Sequence, residues 1–303
     1  MQKYLDPRND VIFKLLFTAP ENKSLLISFL EAVIRPLHPI ADITLLKPEI
    51  GKDSFSEKAS VLDILVELDN GIKIDVEMQM ATNALFKKRL LYYWAKLHAR
   101  QLNIGYNYTK LVPTISIAIL ATEEFKNCPN TPHSIFEMRE RNRNELYSND
   151  LEIHFLELPK LSAWTKDNNL HYTKLEGWML FLNIEKDPAI CIQKFAKDPI
   201  MSKALKALEI ISRNPDARTL AERRENARLN YESGMENAAA EGEARGEARG
   251  EARGEAKGEA KGEAKEQLNT INKLLKKGIS PEEISSLLDL DLEKVLTIFK
   301  SLK

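Results

Sequence analysis

The chain reads as an α/β protein, a sandwich of helices around a mixed sheet, followed by a helical C-terminal region. Three observations carry that reading. Residues 60–68 and 72–80 alternate apolar and polar side chains strictly, as half-buried strands do. Apolar runs at 112–121 and 151–158 supply two further strands. Helical spacing at 10–17 and 22–34 precedes the strands, and a long helix from about 83 to 103 divides them. Helix, three strands, helix, strand is the order expected of helices packed on a mixed sheet.

Along the chain, the two N-terminal helices lead into a strand at 43–46, and the two alternating segments then complete a group of three. From Tyr172 to Arg228 the signals are mainly helical, broken at Pro188, Pro199 and Pro215. From Gly242 to Lys265 the sequence is three Gly-Glu-Ala-Arg units followed by three Gly-Glu-Ala-Lys units. This stretch has no large apolar residue and cannot build a core of its own. On a helix its period of four aligns glutamate with glutamate and base with base, leaving no opposite charge at i+3 or i+4. Each glycine costs about 1 kcal/mol relative to alanine. Two readings stay open: a flexible or partly helical spacer, or a helix stabilised by chain association in which each basic row faces a neighbour's glutamates.

Residues 267–303 read as three short helices forming a helix-turn-helix-like module. Ser280, Pro281 and Glu283 make a start signal of N-cap, first-turn proline and capping-box acid. Gly278 closes the helix before it, and Asp291 caps the last. Leu274, Leu275, Ile279, Ile284, Leu287, Leu288, Leu292, Val295, Leu296 and Phe299 are the expected core. The last helix offers Glu293, Lys294 and Lys300 but no Arg, Asn or Gln to read base edges, which favours protein association over sequence-specific DNA contact.

The whole chain of 303 residues carries 44 Lys+Arg against 45 Asp+Glu, a formal net charge of -1, with 43% apolar residues. That fits about two globular domains and shows no whole-chain basic signature of a nucleic-acid binder. Cys128 and Cys191 lie too far apart in sequence for a CxxC pair and are too few for a disulfide framework, which points to the reducing cytoplasm. No apolar stretch approaches the ~20 residues of a membrane span, and the charged N-terminus lacks a signal-peptide core. The expected organisation is an α/β domain at 1–165, a helical extension at 166–235, the repeat at 236–266 and the small module at 267–303.

The two alternating strands can be set in register. If Asp69-Asn70-Gly71 is a three-residue loop with Gly71 left-handed, Leu62, Ile64, Val66 and Leu68 face Met78, Val76, Ile74 and Ile72 on one apolar side. On the other side Asp63 faces Glu77, Leu65 faces Asp75, and Glu67 faces Lys73. A two-residue loop would oppose apolar to polar residues throughout, which one-sided burial disfavours. The preferred register sets the β-carbons of Asp63 and Glu77 about 5 Å apart. Carboxylates that close repel unless one is protonated or a cation lies between them. Hard ions such as Mg2+ take oxygen ligands of this kind and keep waters, one of which can become a nucleophile. Gln79, on the same face, would point towards such a water. Acidic residues on a solvated hairpin face are also ordinary, and Glu67, Lys73 and Asp75 read that way; a glycosidase pair lacks an aromatic sugar platform.

The next segment bears on that choice. Between Met78 and Thr122 there is no Asp or Glu, while Lys87, Lys88, Arg89, Lys96, His98, Arg100 and Lys110 are interleaved with Phe86, Tyr92, Tyr93, Trp94, Tyr106 and Tyr108. Basic residues with aromatics can hold phosphates and stack bases. The plainer reading is a helix whose stripe of Leu90, Leu91, Trp94 and Leu97 faces the core while its lysines face solvent.

These residues together carry a resemblance. Asp63, Gly71, Val76-Glu77-Met78-Gln79-Met80, the helix Lys88-Arg89-Leu-Leu-Tyr-Tyr93-Trp94, the turn Tyr106-Asn-Tyr-Thr-Lys-Leu-Val-Pro113 and the opening Asp6-Pro-Arg-Asn-Asp10-Val-Ile-Phe-Lys14 resemble the PD-(D/E)XK nuclease superfamily. More closely, the chain is similar to the Rpn family of recombination-promoting nucleases and transposases, over residues 1–160. The resemblance implies a restriction-endonuclease-like αβββαβ core, a catalytic domain at 1–165, and Mg2+-dependent hydrolysis of DNA phosphodiesters, with Mn2+ as a substitute. It implies Asp63 and Glu77 as metal ligands and Gln79 in the motif's usual lysine position. Asp10 and Lys14 would border the site, and Lys88, Arg89 and Tyr93 would support it or contact DNA. The amide of Gln79 can orient water but cannot supply a lysine's charge; Lys87, Lys88 or Arg89 would have to reach in from the helix, and a slow or weakly specific enzyme is expected. The partners implied are DNA and, through the C-terminal region, further copies of the chain; a nuclease-like DNA- or protein-binding module is the alternative.

Overall fold

The computed structural model describes residues 4–47, 49–50, 60–102, 105, 107–163 and 172–301. Tyr106 and the boundary expected at 165/166 lie outside these residues. The chain divides into two compact units, Met1–Ala227 and Arg228–Lys303.

In the first unit, α1 (Asp10–Thr18) and α2 (Lys23–Ile34) precede β1 (Ile43–Leu46), the short pair β2 (Glu49–Ile50) and β3 (Ser60–Val61), and the hairpin β4 (Ile64–Leu68) and β5 (Lys73–Gln79). Helix α3 (Phe86–Ala99) leads to β6 (Thr114–Leu120), then to β7 (His133–Arg139) and β8 (Leu146–Glu157). Helices α4 (Lys174–Leu182), α5 (Pro188–Phe195) and α6 (Pro199–Arg213) follow. The main sheet has the order β1-β4-β5-β6-β8-β7; β5, β6 and β8 are mutually parallel and the other pairs antiparallel. The expected α/β fold with a mixed sheet is therefore present.

Local signals account for the helix starts. Asn9 caps α1, its side chain accepting from Val11 N. Thr173 and Glu176 form a full capping box on α4. Pro188 and Pro199, which read from sequence as breaks, are first residues of helices capped by Asp187 and Asp198. At that position proline's missing N–H costs nothing and its fixed φ suits the helix. These later helices share one core with α1 and α2: Phe13, Phe17, Phe29, Trp178 and Phe181 interlock with ring centroids 4.9–5.9 Å apart.

The hairpin has the expected register, with Ile64 opposite Val76, Leu65 opposite Asp75, Val66 opposite Ile74 and Glu67 opposite Lys73. Gly71 is left-handed at φ +87° and donates to Leu68 O. One face of the hairpin, with Ile64, Val66, Leu68, Ile74, Val76 and Met78, lies in the core with α1, α2 and α4. Leu62 departs from the expectation: it packs instead with Leu65 and Leu97, on the side covered by α3. The regular ladder ends at Asp63, so strict alternation does not extend beyond it.

Two further corrections concern faces and edges. In α3 the buried stripe is Phe86, Leu90 and Leu97; Leu91 is 50% exposed, so the helix is rotated from the expected stripe. Strand β7, at the sheet edge, has no counterpart in the sequence reading because its residues are mostly exposed and lack clean alternation.

In the second unit the repeat is helical, part of the 62-residue α7 (Pro215–Lys276). Its residues are exposed, and among the described residues one ion pair involves it, Arg245 to Glu241 at 2.9 Å, with a partner that precedes the first repeat. Helices α8 (Pro281–Leu288) and α9 (Leu292–Ser301) follow, with the end of α7 serving as the module's first helix. The Ser280/Glu283 capping box forms, and Gly278 turns at φ +82°. Ile271, Ile284 and Val295 are the buried centre. Leu287 and Leu292, expected inside, are 69% and 37% exposed.

Candidate active site

The site begins where β4 leaves the ladder. Asp63 N donates to Glu77 Oε1 at 3.3 Å, and Asp63 Oδ2 accepts from Met78 N at 2.9 Å. Side-chain bonds thus replace ladder bonds and bring the two carboxylates together, as their facing positions required. Gln79 Nε2 donates to Glu77 Oε2 at 3.1 Å, and Gln79 Oε1 accepts from Arg89 Nη2 at 2.9 Å. From the other side, Lys14 Nζ on α1 lies 2.9 Å from Asp63 Oδ1. The result is a continuous line, Lys14–Asp63–Glu77–Gln79–Arg89, with a cation at each end.

The remaining candidates are placed less centrally. Asp10, one turn before Lys14, pairs with Arg224 at 2.7 Å. Tyr93 is half-buried against the cluster of Leu62, Leu65 and Leu97, a supporting place. Lys88 is exposed, while Lys87 is held by Glu124 at 2.9 Å and lies over the Phe125 ring. Of the three cations expected to compensate for Gln79, Arg89 is the one that reaches it. Lys73 stays with Glu67, 3.6 Å away.

Asp75, which the sequence suggests is an ordinary solvated residue, is not one. It is fully buried, and neither carboxylate oxygen has a hydrogen-bond partner; Ser116, its neighbour across β6, is likewise buried with an unpartnered hydroxyl. The signal was available in the register, which set Asp75 opposite Leu65 on the side that α3 covers. Burial, followed by the charges of Glu77 and Asp63, holds the Asp75 carboxyl well above the usual range. Glu77 is pushed up to about 8, chiefly by burial and then by Asp63, against the opposing effects of the Asp63 N–H, Arg89 and Lys14. Three carboxyl groups therefore share a low-dielectric region with two cations. Such a site favours either retained protons or an added positive charge.

A divalent cation fits this chemistry. The donors are oxygens, suited to hard ions, and the elevated Glu77 shows an incompletely balanced pair. Among the described residues no group of three or more His, Cys, Asp or Glu is arranged to hold a metal. Mg2+ commonly takes only one or two protein carboxylates and keeps its waters, so a pair such as Asp63 and Glu77 is compatible with it. The free cysteines take no part: Cys191 is buried on α5 and Cys128 is exposed.

Among the described residues no helix is long and apolar enough to cross a membrane. No curated protein and no solved structure matches the chain. A family model, PD-(D/E)XK nuclease family transposase, matches residues 7–238. It reaches well beyond residue 160, where the resemblance was expected to end, and takes in the helices that complete the core. With the carboxylate hairpin, α1, α3 and most of its length inside that match, the chain belongs to the PD-(D/E)XK nuclease family transposases.

Proposed function

We propose that the protein is a divalent-metal-dependent DNA endonuclease acting in recombination or transposition, with Asp63 and Glu77 holding Mg2+ or Mn2+. The observation that carries this reading is the line Lys14–Asp63–Glu77–Gln79–Arg89 within a nuclease family segment. A bound ion would supply Lewis-acid activation of the phosphoryl oxygen and an acidified water. The chain's own residues do the rest. Asp63 is oriented by Met78 N–H, and Glu77 by the Asp63 N–H and the Gln79 amide. Gln79 cannot rotate freely because Arg89 holds its oxygen. Arg89 thereby brings positive charge to the position where the motif usually has lysine, and Lys14 adds a second charge beside Asp63. Both can stabilise charge developing on a phosphate, at a distance that makes a slow enzyme the expectation.

The C-terminal repeat supports association in the same reading. Within the repeat there is neither a core nor an opposite charge one turn apart between its own units, and a neighbouring chain would supply both. Two linked catalytic units would cut both strands and gain avidity. A cytoplasmic location completes the proposal.

One observation favours a second reading, a nuclease-like module that binds DNA or protein without cutting: an ammonium, Lys14 Nζ, already sits on Asp63. Purified protein incubated with supercoiled plasmid and Mg2+ or Mn2+, with and without chelator, separates the two. Nicking that requires metal and falls at least about 100-fold in Asp63→Asn supports the first, on the scale expected for losing one charge-stabilising group. A gel shift without nicking supports the second.

A further inference from the structure

The exposed face of α3 has no role in the line of residues that Arg89 joins. Lys88, Tyr92 and Lys96 stand at i, i+4 and i+8, so they form one stripe about 12 Å long along the helix axis. Tyr92 is 44% exposed, with Leu91 beside it at 50%, and the Lys96 ammonium lies 5.9 Å from the Tyr92 ring centroid. The stripe starts at Lys88, next to the Arg89 that touches Gln79, and leads towards the connection to β6. There Tyr108 is 80% exposed and Lys110 follows it. No acidic residue interrupts the stretch from Met78 to Thr122. The exposed Tyr92 ring and Leu91 side chain gain nothing from water, and lysines alone would have solvated the helix.

We propose that this face is a track for a single DNA strand running away from the carboxylates, with Lys88 and Lys96 on successive stretches of backbone and Tyr92 stacking the base between them. A ring on a convex helix surface finds a free base face only on an unpaired strand, because duplex bases are already stacked on each other. Stacking of this kind tolerates any base, whereas lysine contacts to phosphate carry the salt dependence. The preferred substrate of the proposed nuclease is then a duplex with an unpaired segment adjoining the cut, such as a flap or a junction arm. The inference rests on the nuclease reading for its direction, since the track leaves from Gln79, but binding can be measured without any cleavage.

The test is fluorescence anisotropy of the full-length protein in chelator, with oligothymidylate and with duplex of equal length. Oligothymidylate should bind more tightly. Tyr92→Ser should weaken it about tenfold with duplex affinity unchanged, and Tyr92→Trp should retain it, as stacking on a larger ring requires. Lys96→Gln should flatten the salt dependence for the single strand by about 0.7 in the log–log slope. If metal-dependent nicking occurs but single strand and duplex bind alike, the track is wrong and the nuclease reading stands. If the Tyr92-dependent preference appears without nicking, the track stands and the hydrolytic reading fails. Equal losses on both DNAs in Tyr92→Ser, or an equal loss in Tyr92→Trp, would overturn the track.

Discussion

Two buried carboxylate regions lie on β5 and β8 of the same sheet, with β6 between them, and differ in one respect. Glu157 is fully buried at the end of β8, but its Oε2 meets Lys160 Nζ at 2.7 Å and its Oε1 accepts from Glu124 N and Phe125 N. Lys160 in turn donates to Phe125 O. Every charge there has a fixed partner. On β5, Asp75 has none, and Glu77, though it accepts from the Asp63 N–H and the Gln79 amide, is pushed up to about 8, chiefly by burial and then by Asp63. Burial alone therefore does not mark the candidate site. Burial with charge left unbalanced does, because an interior that has already neutralised itself has nothing to offer a ligand.

The comparison can be broken most strongly at the paired end. Lys160→Met should remove about 3–5 kcal/mol of stability by leaving Glu157 buried without its cation, read as a lowered denaturation midpoint. An unchanged midpoint would mean that the two regions are not opposites. At the unbalanced end the sign reverses. Glu77 has a folded-state value of about 8 against 4.5 for an unperturbed group, so the folded protein holds its proton more tightly. The contribution of Glu77 to the stability of the metal-free protein is then lost as pH rises from 4.5 to 8. Glu77→Gln should be more stable than the parent above pH 8, by a few kcal/mol in order of magnitude, with the advantage gone below 4.5. Thermal melts across that range check it, and Mg2+ should narrow the gap by stabilising the parent alone.

The smallest effect belongs to the second unit, where charges are plentiful and, among the described residues, none is buried. A Cβ at Gly250 would meet nothing within 4 Å. Gly250→Ala should therefore raise helix stability by up to about 1 kcal/mol, seen as a later loss of helical circular dichroism on heating. No gain would show that the repeat's stability is set by association and not by its own backbone.

Legibility followed how many independent constraints acted on each residue. In the hairpin, alternation, loop length and the glycine all demanded one register, and the register is present. Leu62 escaped because the constraint stops where Asp63 exchanges ladder bonds for side-chain bonds. The α3 stripe was harder to assign: Leu91 and Phe86 are both apolar, and only packing against Phe155 selects Phe86 for the interior. The repeat's arithmetic weighed against an isolated helix, and a helix is what forms. Its charge rows still find little support along their own chain.

The sequence by itself determined the hairpin register, the facing carboxylates, the acid-free basic segment and the caps, because each depends on neighbours within a few residues and on fixed backbone periods. Tertiary structure alone decided that Asp75 is buried without a partner, that Lys14 pairs with Asp63, and that Arg89 is the cation reaching Gln79. Those outcomes depend on which distant segment covers a strand face. The cover sets the local dielectric and the reach of each charge, and neither is a property of any one stretch of chain.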